Sequence, residues 1–321
     1  MARDHGGNLA DACARFGGDA GAWLDLSTGI NPVAYPVGDL AQADWSRLPD
    51  EDALGRLIAA ARDAWNVPDA AELVPAPGAS ALIRLMPRLD RAAAVAIPAP
   101  TYNEHAAAYR AEGWQLSERP GAATRAAVIV NPNNPDGRCW ERHELATLAE
   151  ALPRLVVDES FMDATPQRSL VGDAGDEGLV ILRSFGKFYG LAGLRLGFAI
   201  AGPRTASRLR DLLGPWAVSG PALAIGARAL RDGEWQRATR ARVARDVRRL
   251  VQLGQMAGWN LVGEAGLFAT FDTPDAEEAQ TRLARSRIWS RRFPYSDRWL
   301  RLGLPGDEAA WDRLGEALEV R

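Results

Sequence analysis

LVILRSFGKFYGLAGLRLGFAIAG, residues 179 to 202, sets one lysine, Lys187, between two apolar, strand-like runs, with Ser184 three residues before it and Arg195 eight after it. A lysine at a strand end, with a hydroxyl and a guanidinium close in sequence, fits Schiff-base chemistry on a phosphorylated aldehyde cofactor, because a partly desolvated amine loses its proton readily enough to attack a carbonyl. The cofactor such a set suggests is pyridoxal phosphate. Two other phosphate-binding patterns fail on the string itself. A P-loop needs Gly at 181 and Ser or Thr at 188, where Ile181 and Phe188 stand. Gly190, Gly193 and Gly197 miss the G-x-G-x-x-G spacing of a dinucleotide fold. On its own, S-x-x-K also describes a surface lysine in a Gly-rich turn, so the flanking segments have to decide.

Open α/β sheets place ligands beyond the carboxyl ends of their strands, and three upstream segments end in suitable groups. AAVIVNPNNPDGR (126 to 138) runs a β-branched strand into a Pro/Asn/Gly turn, which puts Asn134 at the strand exit with an amide able to donate to a phenolate oxygen. RLVVDES (154 to 160) reads as a buried strand ending in Asp158. A carboxylate there can pair with a pyridinium nitrogen and keep the ring an electron sink; a solvated strand-end residue is the plain alternative. VPAPGASALIRLM (74 to 86) reads as a glycine turn followed by a helix whose first amides, around Gly78, Ala79 and Ser80, can hold a phosphate. Each signal is weak alone; their order along one chain is specific.

With these residues in view, the chain resembles the fold type I pyridoxal-phosphate enzymes over nearly its whole length, in the branch that contains histidinol-phosphate aminotransferases and threonine-phosphate decarboxylases. The resemblance implies that Lys187 forms the Schiff base, Asp158 binds the ring nitrogen and Asn134 the ring hydroxyl. It further implies that Tyr102, in PAPTYNEH, stacks on the ring, and that Arg195 and Ser184 hold the cofactor phosphate with Gly78, Ala79 and Ser80. Arg301, in WLRLGLP (299 to 305), matches the arginine that grips the substrate carboxylate, a task that suits a bidentate guanidinium better than a lysine.

Within that branch, ARDHGGNLADACARFG and WLDLSTGINPVAYP (23 to 36) look like the start of threonine-phosphate decarboxylases. His5, the amides of Gly6 and Gly7, Asn8, and Asn31 in its Gly-Ile-Asn-Pro turn offer donors to a substrate phosphate. Phe161 stands where aminotransferases of the family generally carry a tyrosine, and it removes a donor to the cofactor's phenolic oxygen. One departure from the family pattern is Arg47-Leu48-Pro49-Asp50, because Leu48 replaces a tyrosine that reaches the partner subunit's phosphate and cannot donate a hydrogen bond. The activity implied is decarboxylation of L-threonine O-3-phosphate to (R)-1-amino-2-propanol O-phosphate for cobalamin biosynthesis, by a homodimer. The alternatives are an aminotransferase acting on histidinol phosphate or a related phosphorylated amine, and a non-catalytic, cofactor-binding regulatory protein.

Composition agrees. The 321 residues are 47% hydrophobic and 25% charged, enough for a sizeable core, and the net charge of −3 argues against a general nucleic-acid binder. Two cysteines, Cys13 and Cys139, fall short of a disulfide framework or a metal site, MARDHGGN lacks an apolar core, and no run approaches the length of a membrane helix, so a cytoplasmic protein is expected. His105 and His143 are expected on solvated helix faces, and most of the 11 tryptophans in packing roles.

The expected fold is α/β, a mostly parallel doubly wound sheet with a smaller α+β domain. The expected division is an N-terminal arm over 1–40, a large cofactor-binding domain over 41–205 and a small C-terminal domain over 206–321. Helices are expected at 51–66, 103–112 and 141–152, and strands near 94–98, 126–130, 154–158, 179–183 and 195–201, which gives the βαβ rhythm of a parallel sheet. A basic helical stretch follows at 221–257, with its arginines on a solvated face. The tail reads as strand 259–272, helix 275–286, strands near 288–292 and 298–303, and helix 307–319.

Overall fold

The computed structural model describes residues 5–319, so Ala2, Arg3 and Asp4 of the N-terminal motif lie outside the described residues. The chain forms two compact units. One comprises Ala34–Asn134 and Cys139–Ala238, the other Met1–Val33, Pro135–Arg138 and Thr239–Arg321. The expected boundary between 205 and 206 falls inside helix Pro203–Leu213, and the first unit continues to Ala238. The reason is packing: helix Gly220–Arg231 buries Ala222, Leu223, Ala227 and Leu230 in the same cluster as Leu57, Ala61 and Trp65 of helix Glu51–Trp65.

The first unit is built on a seven-stranded sheet in the order Glu72–Ala76, Gly197–Ala201, Leu179–Ser184, Arg154–Asp158, Thr124–Val130, Ala94–Ala96, Gln115–Ser117. All neighbouring pairs are parallel except those made by Gly197–Ala201, which is antiparallel to both neighbours. The central strands are buried on both faces, as expected for near-continuous apolar runs in a covered parallel sheet. Alternation then sorts the side chains. Leu155, Val157, Leu179 and Ile181 pack on one face with Leu57, Trp65, Leu145 and Leu230. Val156, Val180 and Leu182 pack on the other with Leu82, Ile83, Tyr109 and Leu209. Asp158 and Ser184 therefore end their strands on the second face, and Glu159 and Arg183 point to the first.

Two strands of this sheet were not legible. Glu72–Ala76 contains Pro75, which reads as a breaker and is tolerated because the strand lies at the sheet edge. Gln115–Ser117 is a short, mostly exposed strand at the opposite edge. The basic stretch expected over 221–257 is two helices, Gly220–Arg231 and Gly233–Met256, broken at Asp232, whose carboxylate accepts from Trp235 N at 2.9 Å.

In the second unit, a four-stranded antiparallel sheet runs in the order Arg291–Phe293, Ser296–Gly303, Phe268–Asp272, Asn260–Glu264. The single strand expected over 259–272 is thus a hairpin, turning at Gly266 with φ of 72°. Leu24–Asp25 pairs in parallel with Ile288–Trp289, and beside it Trp23 and Trp289 pack edge to face, with centroids 6.1 Å apart, over Ala12 of helix Leu9–Phe16. The segment Pro135–Arg138 belongs here because Thr270 Oγ1 donates to Pro135 O at 2.5 Å and a Cβ on Gly137 would lie 2.3 Å from Glu264 N.

The strand Gly197–Ala201 approaches the start of helix Ala79–Leu85 so closely that a Cβ on Gly197 would stand 2.3 Å from Ala79 N and 2.7 Å from Gly78 C. Both are backbone atoms, so the clash cannot be relieved by a side-chain rotation. Gly197→Ala is expected to cost roughly 1–3 kcal/mol of unfolding free energy, measured by denaturant unfolding of the cofactor-free protein.

Candidate active site

At the carboxyl ends of strands Thr124–Val130, Arg154–Asp158 and Leu179–Ser184 lies a cavity open to solvent at its mouth, where open α/β sheets place their ligands. Gly78, Ala79, Ser80, Tyr102, Asn134, Asp158, Phe161, Ser184, Lys187 and Arg195 all line it. These are the ten residues that the sequence reading assigned to a cofactor. At one end, Gly78 takes φ of 87° and opens helix Ala79–Leu85. A Cβ on Gly78 would lie 2.7 Å from Arg195 Nη2, so the missing side chain leaves room for a guanidinium above the helix start. Arg195 itself sits at φ of 55° and donates through Nη1 to Ala192 O at 3.1 Å.

Lys187 rides on the four-residue helix Phe185–Phe188, which begins directly after the strand ending at Ser184. Phe185 and Phe188 are buried beneath it, and Tyr189 stacks between Phe185 and Trp235 at centroid distances of 4.2 and 5.6 Å. The turn that carries the lysine is thereby pinned from the core side. Lys187 Nζ stands 5.7 Å from the centroid of Phe161.

Asp158 is buried, and both carboxylate oxygens are engaged. Oδ2 meets His105 Nε2 at 2.8 Å, while Oδ1 accepts from Ser160 N at 3.0 Å and from the Ser160 hydroxyl. Burial pushes its pKa up, but the bonds from His105 and Ser160 outweigh that and hold the carboxyl below its usual range, so it stays ionised. His105 is not on a solvated face, as the sequence suggested; it is completely buried. Helix Asn103–Ala111, NEHAAAYRA, has no aliphatic stripe to mark its inner side. The available signal was the spacing of four from His105 to Tyr109, which places both on one face. Tyr102, whose ring is edge-on to His105 at 6.2 Å, has its phenol pushed up to about 12 by burial and by the charges of Glu104 and Asp158. It remains a neutral donor at ordinary pH.

Residues 39–318 match the family model of class I and II aminotransferases. The chain belongs to this family. It is 42% identical over 328 residues to the threonine-phosphate decarboxylase of Sinorhizobium sp and 40% identical over 328 residues to that of Pseudomonas aeruginosa, in each case covering 98% of this chain and 97% of the relative. Among solved structures it is similar, with a TM-score of 0.80 and 22% identity over 92% of this chain and 90% of the other, to the histidinol-phosphate aminotransferase of Sinorhizobium meliloti in complex with pyridoxal-5'-phosphate.

The cavity fits that cofactor. A glycine cradle beside an arginine suits a phosphate, a buried ionised carboxylate suits a protonated ring nitrogen, and a lysine amine on the same wall suits an aldehyde carbon. Ser160 and His105, which complete the carboxylate's bonding, were missed by the sequence reading.

A second cavity lies in the other unit, lined by His5, Gly6, Asn8, Arg15, Arg291 and Arg292 among others. The N-terminal motif is folded onto Ser27 there, since Gly7 N donates to Ser27 Oγ at 2.7 Å and a Cβ on Gly6 would meet Ser27 O at 2.3 Å. Asn31 does not line this cavity. Its oxygen accepts from Val33 N at 3.1 Å and Arg242 Nη2 at 2.5 Å, which fixes a turn. Arg301 is buried and donates to Ser27 O at 2.8 Å. Its cross-strand partner is Arg291, an arginine the sequence reading passed over in the SRRF segment.

His105→Leu is expected to raise the dissociation constant of pyridoxal 5'-phosphate about tenfold or more, the cost of taking a hydrogen bond from a buried charge. His105→Gln, which keeps a donor near the Nε2 position, is expected to recover most of that loss. Titration of the apoprotein followed by visible absorbance measures both.

Proposed function

We propose that the protein is a threonine-phosphate decarboxylase, a pyridoxal 5'-phosphate-dependent carboxy-lyase that converts L-threonine O-3-phosphate to 1-amino-2-propanol phosphate and carbon dioxide. The observation that carries this reading is similarity over 98% of the chain to two threonine-phosphate decarboxylases. The arginines of the second unit agree with it. Arg291 and Arg301 are directly opposed across antiparallel strands, and Arg15 and Arg292 line the cavity with Arg291. Arg15 and Arg292 already face Asp11 and Glu277, but like charges opposed across a ladder repel, so the Arg291 and Arg301 pair favours a ligand with anionic groups. Threonine phosphate carries two.

When bound, the cofactor supplies a conjugated ring that accepts the electrons of a broken bond. In our reading Asp158 holds the proton on the ring nitrogen, Asn134 donates to the ring oxygen, Tyr102 covers a ring face, and Ser184, Arg195 and the Gly78 to Ser80 turn bind the phosphate. Lys187 Nζ would hold the cofactor's aldehyde carbon, and Lys187 or a water would return a proton to the carbon from which carbon dioxide departs. Only a bond standing perpendicular to the ring releases its electrons into it, so the residues that hold the two ends of the substrate select which bond breaks. Arg301 is assigned to the carboxylate, and His5, Gly6, Asn8 and Arg291 to the phosphate. Asn31 is assigned the role of shaping the turn beside them. A salt bridge from Arg301 stabilises the carboxylate that must be lost, and binding of the remote phosphate offsets this. Phe161 leaves the ring oxygen without a tyrosine donor, which separates this site from the transaminating pattern.

Trp45 and Leu48, both two-thirds exposed, support a homodimer. Among the described residues no helix is long and apolar enough to cross a membrane. A cytoplasmic location and delivery of the product to cobalamin assembly complete the proposal.

Incubating the cofactor-loaded protein with L-threonine phosphate is expected to release carbon dioxide without any oxo-acid. Glutamate formation that depends on 2-oxoglutarate, with little carbon dioxide, would overturn this in favour of an aminotransferase. Arg291→Ala is expected to raise KM for threonine phosphate about tenfold or more, since a hydrogen bond to a charged group is lost, while leaving cofactor affinity unchanged; steady-state carbon dioxide release measures the first and absorbance titration the second.

A further inference from the structure

Beneath the cofactor cavity, on the opposite face of the sheet, lies a buried ionic network that takes no part in the chemistry described above. Alternation along two adjacent parallel strands creates it. Asp158 faces the cavity and the next residue, Glu159, faces away; Ser184 faces the cavity and the preceding residue, Arg183, faces away. Glu159, Arg183 and Asp163 are all at most 1% exposed. Arg183 Nη1 donates to Asp163 Oδ1 at 3.0 Å, and Nη2 lies 3.2 Å from Glu159 Oε2 and donates to Ser169 Oγ at 2.9 Å. Trp65 Nε1 donates to the same Asp163 oxygen at 2.8 Å, and the Trp65 ring lies 5.1 Å from the guanidinium carbon. Glu159 in turn accepts from Ser169 Oγ and from Leu170 N, both at 2.7 Å.

These contacts close the segment from Glu159 to Leu170 into a clasped loop and tie it to the strand that leads into Lys187. The loop carries Ser160, which bonds Asp158, and Phe161, which faces Lys187. Taking three charged groups out of water is costly, and an apolar cluster of the same volume would hold a core as well or better. What an apolar cluster cannot supply is directionality: the planar guanidinium fixes two carboxylates and a hydroxyl at set angles.

We propose that Arg183, with Glu159 and Asp163, is a positioning network that sets the carboxylate of Asp158 and the ring of Phe161 against Lys187. It acts through backbone geometry and touches neither cofactor nor substrate. The proposal rests on the reading of the cavity as the pyridoxal 5'-phosphate site.

The test uses Arg183→Lys, which keeps the charge but cannot bridge both carboxylates, and Glu159→Gln, which keeps an acceptor for Leu170 N. Asp90→Asn serves as the control, because Asp90 pairs with Arg154, a largely buried arginine at the far end of the strand that ends in Asp158. The variants are compared below their melting temperatures, by cofactor dissociation constant and by the pH midpoint of the visible absorption band of the bound cofactor. The expected result is a dissociation constant raised roughly tenfold and a displaced midpoint for Arg183→Lys or Glu159→Gln, the scale of a weakened hydrogen bond between Asp158 and the cofactor. Asp90→Asn is expected to lower Tm with both readouts at wild-type values. If Arg183→Lys fails to fold, Glu159→Gln decides. Variants that lose Tm but keep wild-type affinity and midpoint would sink the inference and leave the cofactor site standing. A wild-type protein that binds no pyridoxal 5'-phosphate would overturn the site itself.

Discussion

A charged carboxylate kept inside the protein governs much of this architecture. Asp158 is buried to a degree at which an isolated carboxyl would take up a proton, because desolvation penalises the charged form by several kcal/mol. It stays ionised only because His105, Ser160 N and the Ser160 hydroxyl occupy its oxygens. His105 must therefore come from a helix that reaches the strand end, and Ser160 from a loop that turns sharply past it. That loop needs an anchor of its own, which Glu159 and Arg183 provide on the far face. A requirement at one atom propagates through three secondary elements.

The same alternation that sorts apolar side chains between the two faces sorts the polar ones at the strand ends. Asp158 and Ser184 belong to the face shared with Val156 and Leu182, and Glu159 and Arg183 to the face shared with Val157 and Ile181. A slip of one residue in both strands would exchange the two sets and put a carboxylate–guanidinium pair in the cavity. The long buried runs LVVD and LVILRS make that slip costly, since every apolar residue would also change faces. Register, core and site are thus fixed by one pattern.

Much of this was legible in the chain. The ten residues expected around the cofactor line one cavity, since they sit at the ends of strongly apolar strands or just after a glycine turn, where periodicity and turn chemistry are most informative. His105 was not legible, because its helix is polar and alanine-rich and the apolar stripe that marks an inner face is absent. Glu72–Ala76 was hidden by Pro75, and the break at Asp232 by a helical pattern that continues across it. Arg291 was hidden in a run of arginines whose individual directions depend on strand pairing. Pairing across strands is a long-range property that no local window contains.

The first unit holds the cavity that fits the cofactor. Phe161 apart, the groups around the first cavity are those any transformation on a pyridine ring needs, and they do not themselves select between loss of a carboxylate and loss of a proton. That choice is made by whichever bond is held perpendicular to the ring, hence by the grip on the substrate's two ends. In the second unit, Arg291 and Arg301 oppose each other in a small antiparallel sheet and the N-terminal segment is folded onto Ser27. Because an arginine fork binds two oxygens at fixed angles, a pair of forks at a fixed cross-strand distance constrains the ligand's orientation as well as its charge.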